Sequence, residues 1–128
     1  MSTVPPAAVF VLLNDALQRD SIALTLRRNQ MQPIFCETFD QARECFQASK
    51  PNAILIDLHL PGLNSLDLLR DLRRDGLLQH CAVVVLSSMG FPEVIRQAIT
   101  AGADDFIVKP FDPDALIARL YRLIERKV

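Results

Sequence analysis

Short apolar runs alternate with helical stripes from residue 8 to residue 124. Ala8–Leu13 (AVFVLL) is apolar throughout and of strand length, the pattern of a strand buried on both faces. A helix is predicted from Asp15 to Asn29, with Ile22, Ala23 and Leu26 on one side. Pro33–Glu37 follows as a short second strand. Its opening proline suits a sheet edge, where a missing N–H costs least. Thr38 and Gln41 have capping-box spacing ahead of a helix that shares Phe39, Ala42, Cys45 and Phe46 on one face. Ala53–Leu58 is the third strand, broken by Pro61-Gly62, and Asn64 can cap the next helix, with Leu68, Leu69 and Leu72 inward. Ala82–Leu86 is the fourth strand, and Pro92 suits the first turn of a helix carrying Val94, Ile95, Ala98 and Ile99 and ending near Gly102. Asp105–Lys109 is the fifth strand. Asp112-Pro113 then reads as N-cap and first helical position, ahead of Leu116, Leu120, Leu123 and Ile124.

Five strands alternating with five helices imply right-handed crossovers and a parallel sheet covered on both faces. With the proline-bearing strand at an edge, the expected class is α/β, flavodoxin-like, in the order 2-1-3-4-5. Residues 1–128 suit one domain, with 1–7 expected as an N-terminal tail. Apolar residues are 50% of the chain and charged residues 23%, which excludes a solvated, disordered chain. No apolar run is long enough to span a bilayer, and a net charge of −1 offers no pull toward nucleic acid or anionic lipid. Neither membrane nor direct nucleic-acid contact is therefore expected. Arg27-Arg28 and Arg73-Arg74 read as solvated helix faces. Cys36, Cys45 and Cys81 lack a C-x-x-C pair and read as small buried hydrophobes, reduced as in a cytoplasm. The isolated glycines build neither a dinucleotide fingerprint nor a P-loop.

Candidate chemistry lies beyond the carboxyl ends of the strands, where open α/β sheets bind ligands. Those ends carry Asn14-Asp15, Asp57, Ser87-Ser88 and Lys109-Pro110. Asp15 reads equally as a helix cap, and Ser87 taken alone reads as turn chemistry. Asp57 is harder to dismiss, because it interrupts an otherwise apolar strand, where an unpaired charge is costly. Lys109 closes an apolar run in a chain whose cations are mostly arginines, and a compact ammonium suits a phosphate or carboxylate. Two carboxylates among oxygen donors suit Mg²⁺, which takes one or two carboxylates and keeps several waters. With a lysine, that set equips phosphoryl transfer, and an aspartate can itself be the nucleophile.

The segments AILIDLHLPGLNSLDLLRDLR, VVVLSS and AGADDFIVKPF resemble the receiver domain of bacterial two-component response regulators, and the likeness runs from about Val9 to Ile124. The resemblance implies a signalling phosphoacceptor, not an enzyme with a separate substrate. It would take a phosphoryl group from a histidine kinase or phosphotransfer protein, with Mg²⁺, in the cytoplasm. By position it makes Asp57 the phosphoacceptor, Asp15 a direct metal ligand and the backbone carbonyl of His59 another. Lys109 becomes the lysine that pairs with the phosphoryl group, before a bond to Pro110 that is usually cis. Ser87 falls at the switch hydroxyl and Phe106 at the switch aromatic. The output surface would be the fourth helix, fifth strand and fifth helix, with Val94, Ile95, Ala98 and Tyr121 in contact with a partner or a second copy. His59 and Met89 also stand at loop positions that tune phosphoryl hydrolysis in the family, or are simply exposed.

Asn14 departs from the pattern, since an acidic residue is usual there and holds the metal through water. An amide keeps an acceptor oxygen but drops a charge, so weaker Mg²⁺ binding is expected. Asn14 is also the support for a competing reading, a pseudo-receiver interaction module that works without phosphorylation. Ser65 replaces a common glycine and carries no functional expectation. A flavin-binding protein on the same fold is disfavoured by the carboxylate in the turn Asn14-Asp15-Ala16-Leu17. The kinase, the output partner and the pathway are not written in the sequence.

Overall fold

The computed structural model describes residues 7–127. Five parallel strands form one sheet: β1 (Ala7–Leu12), β2 (Met31–Ile34), β3 (Ala53–Asp57), β6 (Ala82–Ser87) and β7 (Asp105–Val108). Their spatial order is β2-β1-β3-β6-β7, the flavodoxin-like arrangement expected. Two further strands, β4 (His59–Leu60) and β5 (Leu63–Asn64), make a small antiparallel hairpin after β3. The helices are α1 (Ala16–Arg28), α2 (Ala42–Ser49), α3 (Ser65–Arg74), α4 (Pro92–Ala101) and α5 (Pro113–Lys127).

The apolar runs of the central strands divide by alternation between the two faces of the sheet. Phe10, Leu12, Ile54, Ile56, Val83 and Val85 point to the side covered by α2, α3 and α4. Val9, Val11, Leu55, Val84 and Leu86 point to the side closed by Ile22 and Leu26 of α1 and Leu116 and Leu120 of α5. Burial on both faces is why these strands read as continuous hydrophobic runs.

Several local expectations change. Ala7 opens β1, so the tail expected over 1–7 does not include Ala7; the rest of that expectation lies outside the described residues. The second strand is Met31–Ile34, with Pro33 inside it opposite Val9 rather than opening it; an edge strand tolerates a missing N–H where that position faces away from its one neighbour. The capping box fails. Thr38 makes no side-chain cap bond, because the chain first winds through a 3-10 turn at Phe39–Gln41 and α2 begins only at Ala42. Cys81 is buried as expected, whereas Cys36 and Cys45 are half-buried. The turn at Pro61-Gly62 belongs to the β4–β5 hairpin, with Gly62 at φ 73°, a left-handed conformation that glycine adopts without strain.

Candidate functional site

The site forms where β1, β3, β6 and β7 end together. Asp57 closes β3 and is only 2% exposed. Burying that charge requires partners, and both carboxylate oxygens have one. The Lys109 ammonium stands 2.6 Å from Oδ1, and the Asn14 backbone N–H donates to Oδ2 at 2.7 Å. Oδ1 is buried and has no hydrogen bond beyond that ion pair among the described residues. Lys109 is delivered by the end of β7, where its own N–H donates to the Ser87 carbonyl at 2.8 Å; the Lys109–Pro110 bond is cis, as expected.

Asp15 caps a helix, as the sequence allowed, and also borders the site. It is the N-cap of α1, its Oδ1 accepting from Leu17 N at 2.8 Å and Gln18 N at 3.3 Å, and it also lines the cavity above Asp57. That cavity is about 220 Å³ and is lined by Asn14, Asp15, Gln18, His59, Ser88 and Lys109 around Asp57 and Ser87. Ser87 is 3% exposed, and its Oγ accepts from Met89 N at 3.0 Å, a local turn at the head of the loop into α4. Gly90 in that loop lies against the exposed Val108: a Cβ there would fall 2.7 Å from Val108 Cγ2, so a larger residue would have to push that side chain aside. Phe106 is half-buried, packs on the α2–α3–α4 side of the sheet and stands opposite Val85 in the β6–β7 register.

The structure brings Asn14, Asp15, Asp57, His59, Ser87 and Lys109 to one cavity. It keeps Phe106 apart from that lining, one strand over. Asn14 contacts Asp57 through its backbone N–H, which any residue but proline could supply. His59 and Met89 are exposed. Two residues were not foreseen. Ser65, 1% exposed, donates from Oγ to the Asp57 backbone carbonyl at 2.6 Å. Gln18 buries its Oε1 with no partner among the described residues. A serine following the helix-capping Asn64 was the available signal for the first; nothing in the sequence marks the second.

The donors suit a hard cation. No cluster of three or more His, Cys, Asp or Glu side chains able to hold a metal occurs among the described residues. What the cavity offers instead is two carboxylates, Asp15 and Asp57, an oxygen donor set that suits Mg²⁺ and not zinc.

A flavodoxin-like sheet with a buried aspartate, a lysine on its oxygen and a hydroxyl on the adjoining strand defines the receiver class of signalling domain. The profile of the response regulator receiver domain matches residues 9–121, and the chain belongs to that family. It is 31% identical over 118 residues to the phosphate regulon transcriptional regulatory protein PhoB of Escherichia coli, covering 92% of this chain and 52% of that protein. It is 30% identical to the DNA-binding response regulator MtrA of Mycobacterium leprae, covering 92% of this chain and 51% of MtrA. Among solved structures, the receiver domain of the Francisella response regulator 1452 superposes with a TM-score of 0.86 at 25% identity, covering 95% of this chain and 99% of that one. The chemotaxis response regulator CheY4 of Vibrio cholerae shares the fold at a TM-score of 0.83 and 20% identity, covering 92% of this chain and 98% of CheY4. The chain spans about half the length of the PhoB and MtrA relatives. MtrA is named as DNA-binding, so the expectation of no direct nucleic-acid partner, drawn from this chain's near-neutral charge, is not supported. No helix among the described residues is long and apolar enough to cross a membrane.

Proposed function

We propose that this chain is a phosphorylatable receiver: Asp57 takes a phosphoryl group from a phosphohistidine on a histidine kinase or phosphotransfer protein in the cytoplasm. An Asp57 oxygen forms the new P–O bond as the P–N bond to the donor imidazole breaks, giving an acyl phosphate and releasing the imidazole. The observation that carries this reading is the buried Asp57 carboxylate, held by one ammonium and one N–H beneath an open cavity. Those two contacts fix its direction before a donor arrives, which is the positioning that phosphoryl transfer needs. Asp15, Asp57 and the His59 carbonyl would hold Mg²⁺, with Asn14 in its outer shell. The metal would neutralise charge on the phosphoryl oxygens when bound. Lys109 then has a second anionic partner available, and Ser87 a strong acceptor for its hydroxyl hydrogen. The chain acts as a phosphoacceptor and switch, not as an enzyme turning over a separate substrate. Its output runs through α4, β7 and α5 to a partner, a linked effector or a second copy.

Intact mass spectrometry after acetyl phosphate and Mg²⁺ tests this. One base-labile phosphoryl group is expected, absent in Asp57→Ala. A folded wild-type protein that stays unmodified at millimolar donor would instead support the pseudo-receiver reading.

A further inference from the structure

Strand alternation leaves one peptide at the site without its ladder partner. Leu58 N donates across to Leu86 O of β6 at 2.8 Å. Successive residues of a strand turn their N–H and C=O groups to opposite sides, so the Asp57 carbonyl faces β1. There β1 has already ended at Leu12, and the next available donor, Asn14 N–H, is taken by the Asp57 carboxylate. The orphaned carbonyl is buried, and a buried unpaired acceptor is costly. Ser65, the first residue of α3, supplies the donor from its hydroxyl at 2.6 Å.

We infer that Ser65 is a positioning residue for the metal and phosphoryl site, acting through the Asp57–Leu58 peptide. That peptide unit is held at both ends, its carbonyl by Ser65 and its N–H by Leu86. It joins Asp57 to the segment that reaches His59, and both residues line the cavity. Clamping its plane sets the direction in which the chain leaves β3, and so the placing of the His59 backbone relative to the Asp57 carboxylate. The hydroxyl also ties the start of α3 to the phosphoacceptor strand, a link that a glycine at this position could not make. The inference rests on the phosphoacceptor reading above.

Titrating MgCl₂ at 25 °C into wild type, Ser65→Ala and Ser65→Thr, followed by backbone amide shifts of Asp57 to His59, tests it. Ser65→Ala is expected to raise the Mg²⁺ dissociation constant about tenfold, the scale of losing a group that orients metal ligands. Ser65→Thr keeps the hydroxyl and is expected to bind within about twofold of wild type. A lowered melting temperature in Ser65→Ala with unchanged Mg²⁺ affinity would overturn the inference, reducing the hydroxyl to a structural tie. If the alanine variant does not fold, Ser65→Cys replaces it: its weak thiol donor should still loosen binding about threefold or more, and equal affinity counts against the role. Absence of any Mg²⁺ response in the wild type would remove the phosphoacceptor reading and this one together, so the two failures are distinguishable.

Discussion

Lys109 Nζ lies 2.6 Å from Asp57 Oδ1, yet the lysine side chain keeps 19% of its surface exposed while Asp57 keeps 2% as a residue. The two halves of this pair should therefore not be equivalent. Lys109→Met leaves a buried carboxylate facing one N–H, and a cost of about 3 kcal/mol in urea unfolding is expected. Asp57→Asn retains an acceptor for Asn14 N–H and lets the lysine reach solvent, so a loss under about 1 kcal/mol is expected. Equal losses would mean that the buried charge is not what the pair serves.

The Asn14 side chain is exposed, and only its backbone touches Asp57. Asn14→Asp should leave the carboxylate's hydrogen bond intact while adding negative charge to the cavity rim. Mg²⁺ affinity is expected to rise about tenfold, with a small loss of metal-free stability from crowded carboxylates. Calorimetric titration of both proteins decides this; identical affinities would show that the amide already does the work of the acid.

Ser87 Oγ accepts from Met89 N, so the hydroxyl is tied to the loop that leads into α4. Drawing its hydrogen toward a phosphoryl group carrying about −1.5 to −2 charges should pull that loop, and Phe106 should follow on the next strand. Amide shifts with beryllofluoride and Mg²⁺ are expected to reach Phe106, Val94, Ile95 and Tyr121. Ala98, expected from the sequence to lie in the contact, is 0% exposed and cannot touch a partner. Shifts confined to the residues around Asp57 would defeat this route to the output surface.

Burial pushes the Cys81 thiol up to about 12 from 9.0, with Asp104 adding to the rise and Lys127 opposing it. A pKa raised on folding contributes stability that is complete below the unfolded value and lost as pH climbs toward the folded one. The window for this group is therefore about pH 9 to 12. Cys81→Ala should flatten the fall in stability measured by urea unfolding between pH 9 and 11, within that window. An unchanged slope would show that Cys81 does not titrate there.

The class of fold was legible because burial on both faces of a parallel sheet writes uninterrupted apolar runs at β1, β3 and β6, separated by helical stripes. Pro33 marked the edge strand, and Asp57 stood out because a charge inside such a run demands a partner. These are local patterns, set by which residues each turn or strand exposes. What only the tertiary structure decided depends on where one strand stops relative to its neighbour. β1 ends before it can pair the Asp57 carbonyl, and that difference in length assigns Asn14 its N–H contact and Ser65 its hydroxyl contact. Thr38 lost its capping role to a 3-10 entry, and Ala98 lost its place on the surface to the packing of α4 on the sheet. Hydrogen bonds at strand ends and the facing of short helices are settled by distant chain segments, so neither is carried by the residues on either side of them.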